Sequence, residues 1–161
     1  SEPSLQFDGS NDFLDISTII TTSIYSNFSV LKKQSTATIV IPIGLNGGQA
    51  IGAWSDANLY ENNGTSFVSV PYTNNTNQNL FSVLKIGNNL ADFSAKQNGI
   101  SLGSYTNTAF GSISLSVVGA RTGITPIYSN GNLQEIIVYA SDQTSNRSGI
   151  ETNINDFYTI Y

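Results

Sequence analysis

The sequence predicts an all-β chain closed by one C-terminal helix. Three observations predict it. Charged residues make up only 11% of the 161 residues and hydrophobic residues 39%, with Ser, Thr and Asn filling about a third of the chain. Long amphipathic helices need Lys, Glu and Arg on their exposed faces, whereas Ser, Thr and Asn satisfy backbone groups locally in turns. Short apolar or alternating runs recur between Asn- and Gly-rich breaks, and only the C-terminal segment has a helical period.

Taken in order, Leu5 to Phe7 and Phe13 to Ile16 read as strands around the turn Asp8 to Asp12. Phe28 to Lys33 follows, then the β-branched run Thr36 to Ile43, where Pro42 marks an edge or a strand end. Gly44 to Gly48 is a turn. Ala50 to Trp54 and Asn58 to Glu61 are short strands, and Asn62-Asn63-Gly64 turns the chain into Phe67 to Val70. Pro71 to Asn79 is a polar loop. Phe81 to Ile86, Leu90 to Lys96 and Ile100 to Tyr105 are strands, the last two joined by the tight turn Gln97-Asn98-Gly99. Ile113 to Ala120 alternates, and Leu133 to Tyr139 is a buried type of strand. Ser141 or Asp142 can cap a helix from Gln143 to Tyr158, with Ile150, Ile154, Phe157 and Tyr158 on one face. The length fits a single domain spanning 1–161. With no methionine even at position 1, the chain is expected to be processed or excised from a longer polypeptide.

Composition excludes several functions. The net charge is −5, so a phosphate backbone would be repelled, and no nucleic-acid partner is expected. No apolar run approaches a membrane span, so no membrane insertion is expected. Cysteine and histidine are both absent. Thiol chemistry, a Ser-His-Asp triad and a His-ligated zinc site are therefore out of reach. Glycoside hydrolysis needs two facing carboxylates. Glu61, Glu135 and Glu151 stand apart in sequence, and Glu135 is expected to pair with Arg121 or a lysine. The four Asn-x-Ser/Thr sequons, at Asn27, Asn63, Asn74 and Asn146, are no more than the composition yields.

Three segments carry a resemblance. They are Leu5 to Leu14 (LQFDGSNDFL), Phe93 to Leu102 (FSAKQNGISL) and Gly131 to Tyr139 (GNLQEIIVY). In order and spacing they resemble the concanavalin A-like lectin and laminin-G-like superfamily, in the versions found in phage fibres and bacterial surface proteins. The resemblance implies a two-sheet antiparallel jelly-roll sandwich of roughly 12 to 14 strands, used for glycan or protein recognition. It implies an extracellular or virion-surface location. Many relatives place an Asp where this chain has Gln134, and that Asp can serve a structural calcium. A neutral amide is a poorer ligand for a hard cation. No cofactor is therefore expected to be required. Calcium is allowed, with Asp8 and Asp12 as its candidate ligands. The competing reading of those two residues is turn capping.

The candidate ligand-binding residues cluster between Trp54 and Asn74. They are Trp54, Asp56, Asn58, Tyr60, Asn62, Tyr72 and Asn74, with Asn63 and Asn75 beside them. Sugars are bound by aromatic faces against C–H patches and by Asp and Asn against hydroxyls. The alternative places Trp54 and Tyr60 in the core, since large amphipathic aromatics serve both roles. The expected function is non-catalytic recognition of a glycan or cell-surface receptor. The alternative is a structural or decoration module, packed into a homo-oligomeric fibre, that binds no sugar.

Overall fold

The computed structural model describes residues 3–44, 48–123 and 125–161, the Thr18 side chain excepted. In chain order its elements are β1 (Leu5–Asp8), β2 (Leu14–Thr22), β3 (Tyr25–Lys33), β4 (Val40–Gly44), β5 (Gln49–Ala53), β6 (Asn58–Asn63), β7 (Phe67–Pro71), β8 (Gln78–Lys85), β9 (Phe93–Gln97), β10 (Ile100–Ser101), β11 (Thr106–Asn107), β12 (Ile113–Val118), β13 (Ala120–Arg121), β14 (Ile127–Tyr128), β15 (Asn130–Tyr139) and α1 (Arg147–Tyr158). They form the expected antiparallel jelly-roll sandwich. One sheet has the order β1-β15-β3-β8-β9-β10 and the other β11-β7-β6-β5-β4-β12-β2, while β13 and β14 form a separate ribbon.

Alternation explains how the layers pack. In β3, Tyr25 and Leu31 point between the sheets, where they meet Phe81 and Val83 of β8 and Ile51, Leu59, Val68 and Val70 of the other sheet. The intervening Phe28 and Val30 point outward and meet Leu80, Leu84 and Ile154 under the helix. The central strands β3 and β8 are thus buried on both faces, their Ser, Asn and terminal Lys residues included. The Asn98-Gly99 turn forms as read, with φ of 53° and 75°.

Several expectations need correction. The strand expected from Thr36 begins only at Val40. Thr38 Oγ1 donates to the Ser35 carbonyl at 2.8 Å, and the Ser35 hydroxyl accepts from the Ala37 amide, so the hydroxyls offer the backbone a turn instead. Pro42 lies in an interior strand, at the point where the β4–β5 register shifts between Val40 and Ile43. That bulge is the site a sheet can give a proline. Leu90–Asp92 is a 3-10 turn, held by the Asp92 carboxylate on the Asn89 amide at 2.8 Å. The strand expected over Ile100 to Tyr105 is only Ile100–Ser101. The turn expected at Gly44 to Gly48 lies largely outside the described residues.

The helix starts later than its caps suggested, because Asp142 accepts from the Thr144 amide and hydroxyl in a turn of its own. Its docked face is part ionic. Arg147 Nε meets Glu151 Oε1 at 3.0 Å, Nη2 donates to the Ser82 carbonyl at 2.6 Å, and Lys96 reaches Glu151 Oε2 at 3.1 Å. Phe157, expected on that face, is 63% exposed. The pairing expected for Glu135 is not formed. Among the described residues the ion pairs are those two on Glu151.

The sandwich interior also holds charge. Glu61 on β6 is fully buried and accepts a hydrogen bond from the Tyr25 hydroxyl. Burial pushes its carboxyl up to about 7, against the opposing pull of the Tyr105 and Tyr25 hydroxyls and Lys85. The folded chain therefore keeps a proton that the unfolded chain, titrating near 4.5, has released. Stability contributed by this group is present below 4.5 and is lost as pH rises to about 7. Compared with Glu61→Gln, which has no such titration, the wild type is expected to lose up to about 3 kcal/mol across that window. Urea unfolding of both proteins at a series of pH values measures it. Parallel pH profiles would contradict the assignment.

Candidate functional site

The site is a band of side chains across the outer face of β5, β6 and β7. Alternation sends Ile51, Ala53, Leu59, Glu61, Val68 and Val70 inward and leaves Ala50, Gly52, Asn58, Tyr60, Asn62 and Phe67 on the other face. The register sets Ala50 beside Asn62 and Asn62 beside Phe67, with Gly52 beside Tyr60. The small residues at 50 and 52 leave a shallow trench, and Trp54 folds back into it. A Cβ on Gly52 would lie only 2.7 Å from Trp54 Cζ3, so the glycine is what admits the indole. Tyr60 lies 5.2 Å from Trp54 and Phe67 lies 5.7 Å from Tyr60, centroid to centroid. Arg121 joins the other end, its guanidinium carbon 5.9 Å from the indole centroid. Trp54 and Tyr60 are half-buried and Phe67 is 41% exposed. The competing core reading thus does not describe these rings.

Beneath the band lies a buried ammonium. Lys33, at the end of β3, is 2% exposed. Its Nζ donates to the Trp54 carbonyl at 2.9 Å, the Tyr72 hydroxyl at 3.0 Å, Asn74 Oδ1 at 3.0 Å and the Thr36 carbonyl at 3.3 Å. Burial pulls the ammonium down to about 8, against the attraction of Asp56. One cation thus ties three segments together and fixes the backbone that carries Trp54.

The sequence-predicted residues divide by position. Asp56 is exposed and oriented. Its Oδ2 accepts from the Tyr60 hydroxyl at 2.7 Å and its Oδ1 from the Asn58 amide at 3.1 Å. The hydrogen bond to Asp56, with burial, pushes the Tyr60 hydroxyl up to about 12. Asn62 uses Oδ1 on the Gly64 amide at 2.6 Å, which leaves its Nδ2 without an acceptor among the described residues. Tyr72 sits behind the band at 8% exposure, edge-on to Phe81 with 5.4 Å between ring centroids, and its hydroxyl reaches the Trp54 carbonyl at 2.8 Å. Asn74 braces the same loop, donating to the Thr36 carbonyl at 3.0 Å. These two act from below, while Trp54, Asp56, Asn58, Tyr60 and Asn62 face outward. Sequence reasoning missed Phe67, Arg121 and Lys33. Phe67 had a signal, since strand parity sets it on the face opposite Val68.

Asp8 and Asp12 close their own turn. Asp8 Oδ1 accepts from the Ser10 amide at 2.8 Å, and Asp12 Oδ2 accepts from the Asp8 amide at 3.3 Å. Gly9 has φ of +86°, and a Cβ there would strike Asn130. Among the described residues no group of three acidic side chains gathers around a cation position.

Two outcomes follow. Lys33→Met takes the charged donor from the oxygens of Thr36, Trp54 and Asn74, leaving them only the neutral donors Asn74 Nδ2 and the Tyr72 hydroxyl, and is expected to cost about 3 kcal/mol. Because Trp54 is the sole tryptophan, its emission should shift to the red and become easier to quench. An unchanged melting temperature and spectrum would remove the clamp. Chelation of divalent cations is expected to move the melting temperature by less than about 4 °C, as a 1 kcal/mol change would at this size. A larger fall would point to a cation on the opening turn.

Comparison with known proteins places the fold. Among solved structures the chain is similar to a native heptameric SAP-like pentraxin from Limulus polyphemus, with a TM-score of 0.59 and 14% sequence identity over 88% of this chain and 77% of that one. No protein-family model and no curated protein sequence matches.

Proposed function

We propose that this chain is a non-catalytic recognition module that binds carbohydrate on the Trp54–Tyr60–Phe67 band. The observation that carries the reading is the row itself: three rings, 5.2 and 5.7 Å apart, partly open to solvent on an ordered sheet face. Apolar ring faces suit the C–H patches of sugar rings. Asp56, Asn58 and Asn62 border the row with groups that suit hydroxyls. Asp56 is already oriented by Tyr60 and Asn58, so little ordering remains to be done on binding. Tyr72 and Asn74, in this reading, support the platform from beneath.

The fold shared with a pentraxin agrees with a binding module, although a fold does not fix a function. The acidic groups give little support to a hydrolase. Glu61 is enclosed in the core and Glu151 is bound to Arg147 and Lys96. The sequence resemblance points to the surface of a phage fibre or a bacterial cell as the setting; packing into a homo-oligomeric fibre belongs to the alternative, structural reading.

A glycan array followed by calorimetry tests the proposal. Trp54→Ala and Phe67→Ala are each expected to weaken binding by about 1 to 3 kcal/mol, as truncation of an interface aromatic does. Phe67→Ala should cost far less stability than a core truncation, because the residue is 41% exposed. Phe81→Ala, in the core, should instead lose about 3 to 5 kcal/mol of stability. An array on which no glycan binds would favour the structural module.

A further inference from the structure

We propose that Arg121 makes this band selective for acidic glycans, its guanidinium receiving an anionic group carried by a sugar that stacks on Trp54. The inference rests on the carbohydrate reading above and names its ligand class.

The chain has six basic residues, and all but one are buried, paired or placed elsewhere. Lys33 and Lys85 are buried among oxygens and rings. Lys96 and Arg147 are bound to Glu151. Lys32 is exposed on β3 of the other sheet. Only Arg121 stands at the aromatic band, and no carboxylate among the described residues pairs with it. Its donors are poorly used. Nη1 reaches the Gly48 carbonyl at a long 3.4 Å, and Nε is buried with no hydrogen-bond partner among the described residues. A guanidinium has five N–H donors in a planar fork. Nη2 makes no hydrogen bond among the described residues, so a ligand that supplies acceptors to the outer edge of the fork gains bonds that the protein leaves open.

The surroundings select the acceptor. Contact with the indole leaves the N–H groups of a guanidinium free to bond in its own plane, and that fork matches the two oxygens of a carboxylate or sulfate. Asn62, beside Ala50 in the trench, offers an unused Nδ2–H on the same face. The chain as a whole carries −5, so a polyanion meets repulsion elsewhere and gains only where a cation is placed for it.

The experiment uses the intact chain and an array in which each acidic glycan, carboxylated or sulfated, is printed beside a neutral twin: the methyl ester or the desulfated form. Wild type is expected to bind acidic members about tenfold or more tighter than their twins. Arg121→Gln should erase that ratio, so that acidic members bind no tighter than their twins, whatever the level of neutral binding that remains. Arg121→Lys, with charge but no fork, should restore part of it. Trp54→Ala should weaken acids and twins alike. The carboxylated and sulfated arms identify which anion fits. Equal binding of acids and twins by wild type, or a ratio that survives Arg121→Gln, would overturn the assignment while the carbohydrate reading stands. Failure of wild type to bind any member would overturn both.

Discussion

The exposed band depends on one buried cation. A lysine ammonium inside a β-sandwich is a costly thing to place, because it leaves water for a low-dielectric interior. Lys33 tolerates it by meeting four oxygens, from Thr36, Trp54, Tyr72 and Asn74. All four lie outside the strands, in the three loops β3–β4, β5–β6 and β7–β8. The desolvation cost and the cross-linking are thus two aspects of one arrangement: the ammonium stays buried only while the loops close on it. Removing it does not merely delete a contact. It leaves the enclosed carbonyls with a neutral donor alone where a charged one also stood.

The opposite end of the sandwich repeats the device. Lys85, paired in register with Tyr25, is fully buried. Its ammonium reaches the Ser23 carbonyl and Asn88 Oδ1, and lies over the rings of Phe93 and Phe110 at 5.4 and 5.8 Å. Glu61 attracts it through the core. Two neighbouring central strands thus end in inward-pointing lysines at opposite ends of one apolar layer. The long edge strand is handled differently. In β2, Ile16 to Ile19 stand opposite only Ser116 where the register shifts, and such a bulge disturbs an edge that could otherwise pair with another chain.

Much of this was legible in the sequence, and what was not has a physical reason. The alternating and apolar runs, the Asn98-Gly99 turn and the single helix all express local preferences, so they survive folding. The lysines were missed because charge suggests exposure. Strand parity held the contrary signal: Lys33 shares its face with Leu31 and Tyr25, and Lys85 shares its face with Phe81 and Val83. Tyr72 likewise continues the inward parity of Val68 and Val70. The helix misled in a different way. Its period gave the apolar residues but not that Arg147 and Glu151 would face the sheet, because their partners Ser82 and Lys96 come from strands far away in sequence. Arg121 and Trp54 meet only through the crossing of a distant hairpin, which no local pattern encodes.

That crossing couples the site to the core. The chain returns over β4 so closely that a Cβ on Gly44 would lie 2.3 Å from the Ala120 carbonyl. The Ser129 hydroxyl holds the segment down, accepting from the Ile41 amide at 2.7 Å. Arg121 is thereby carried to the trench by backbone contacts, while Trp54 is held there by Gly52 and by the Lys33 clamp behind its carbonyl. Arg121 and Trp54 are thus fixed by independent constraints, one on each side of the same sheet. The proposed glycan would cost such a surface little conformational entropy, because its rings and its cation are already held by the fold.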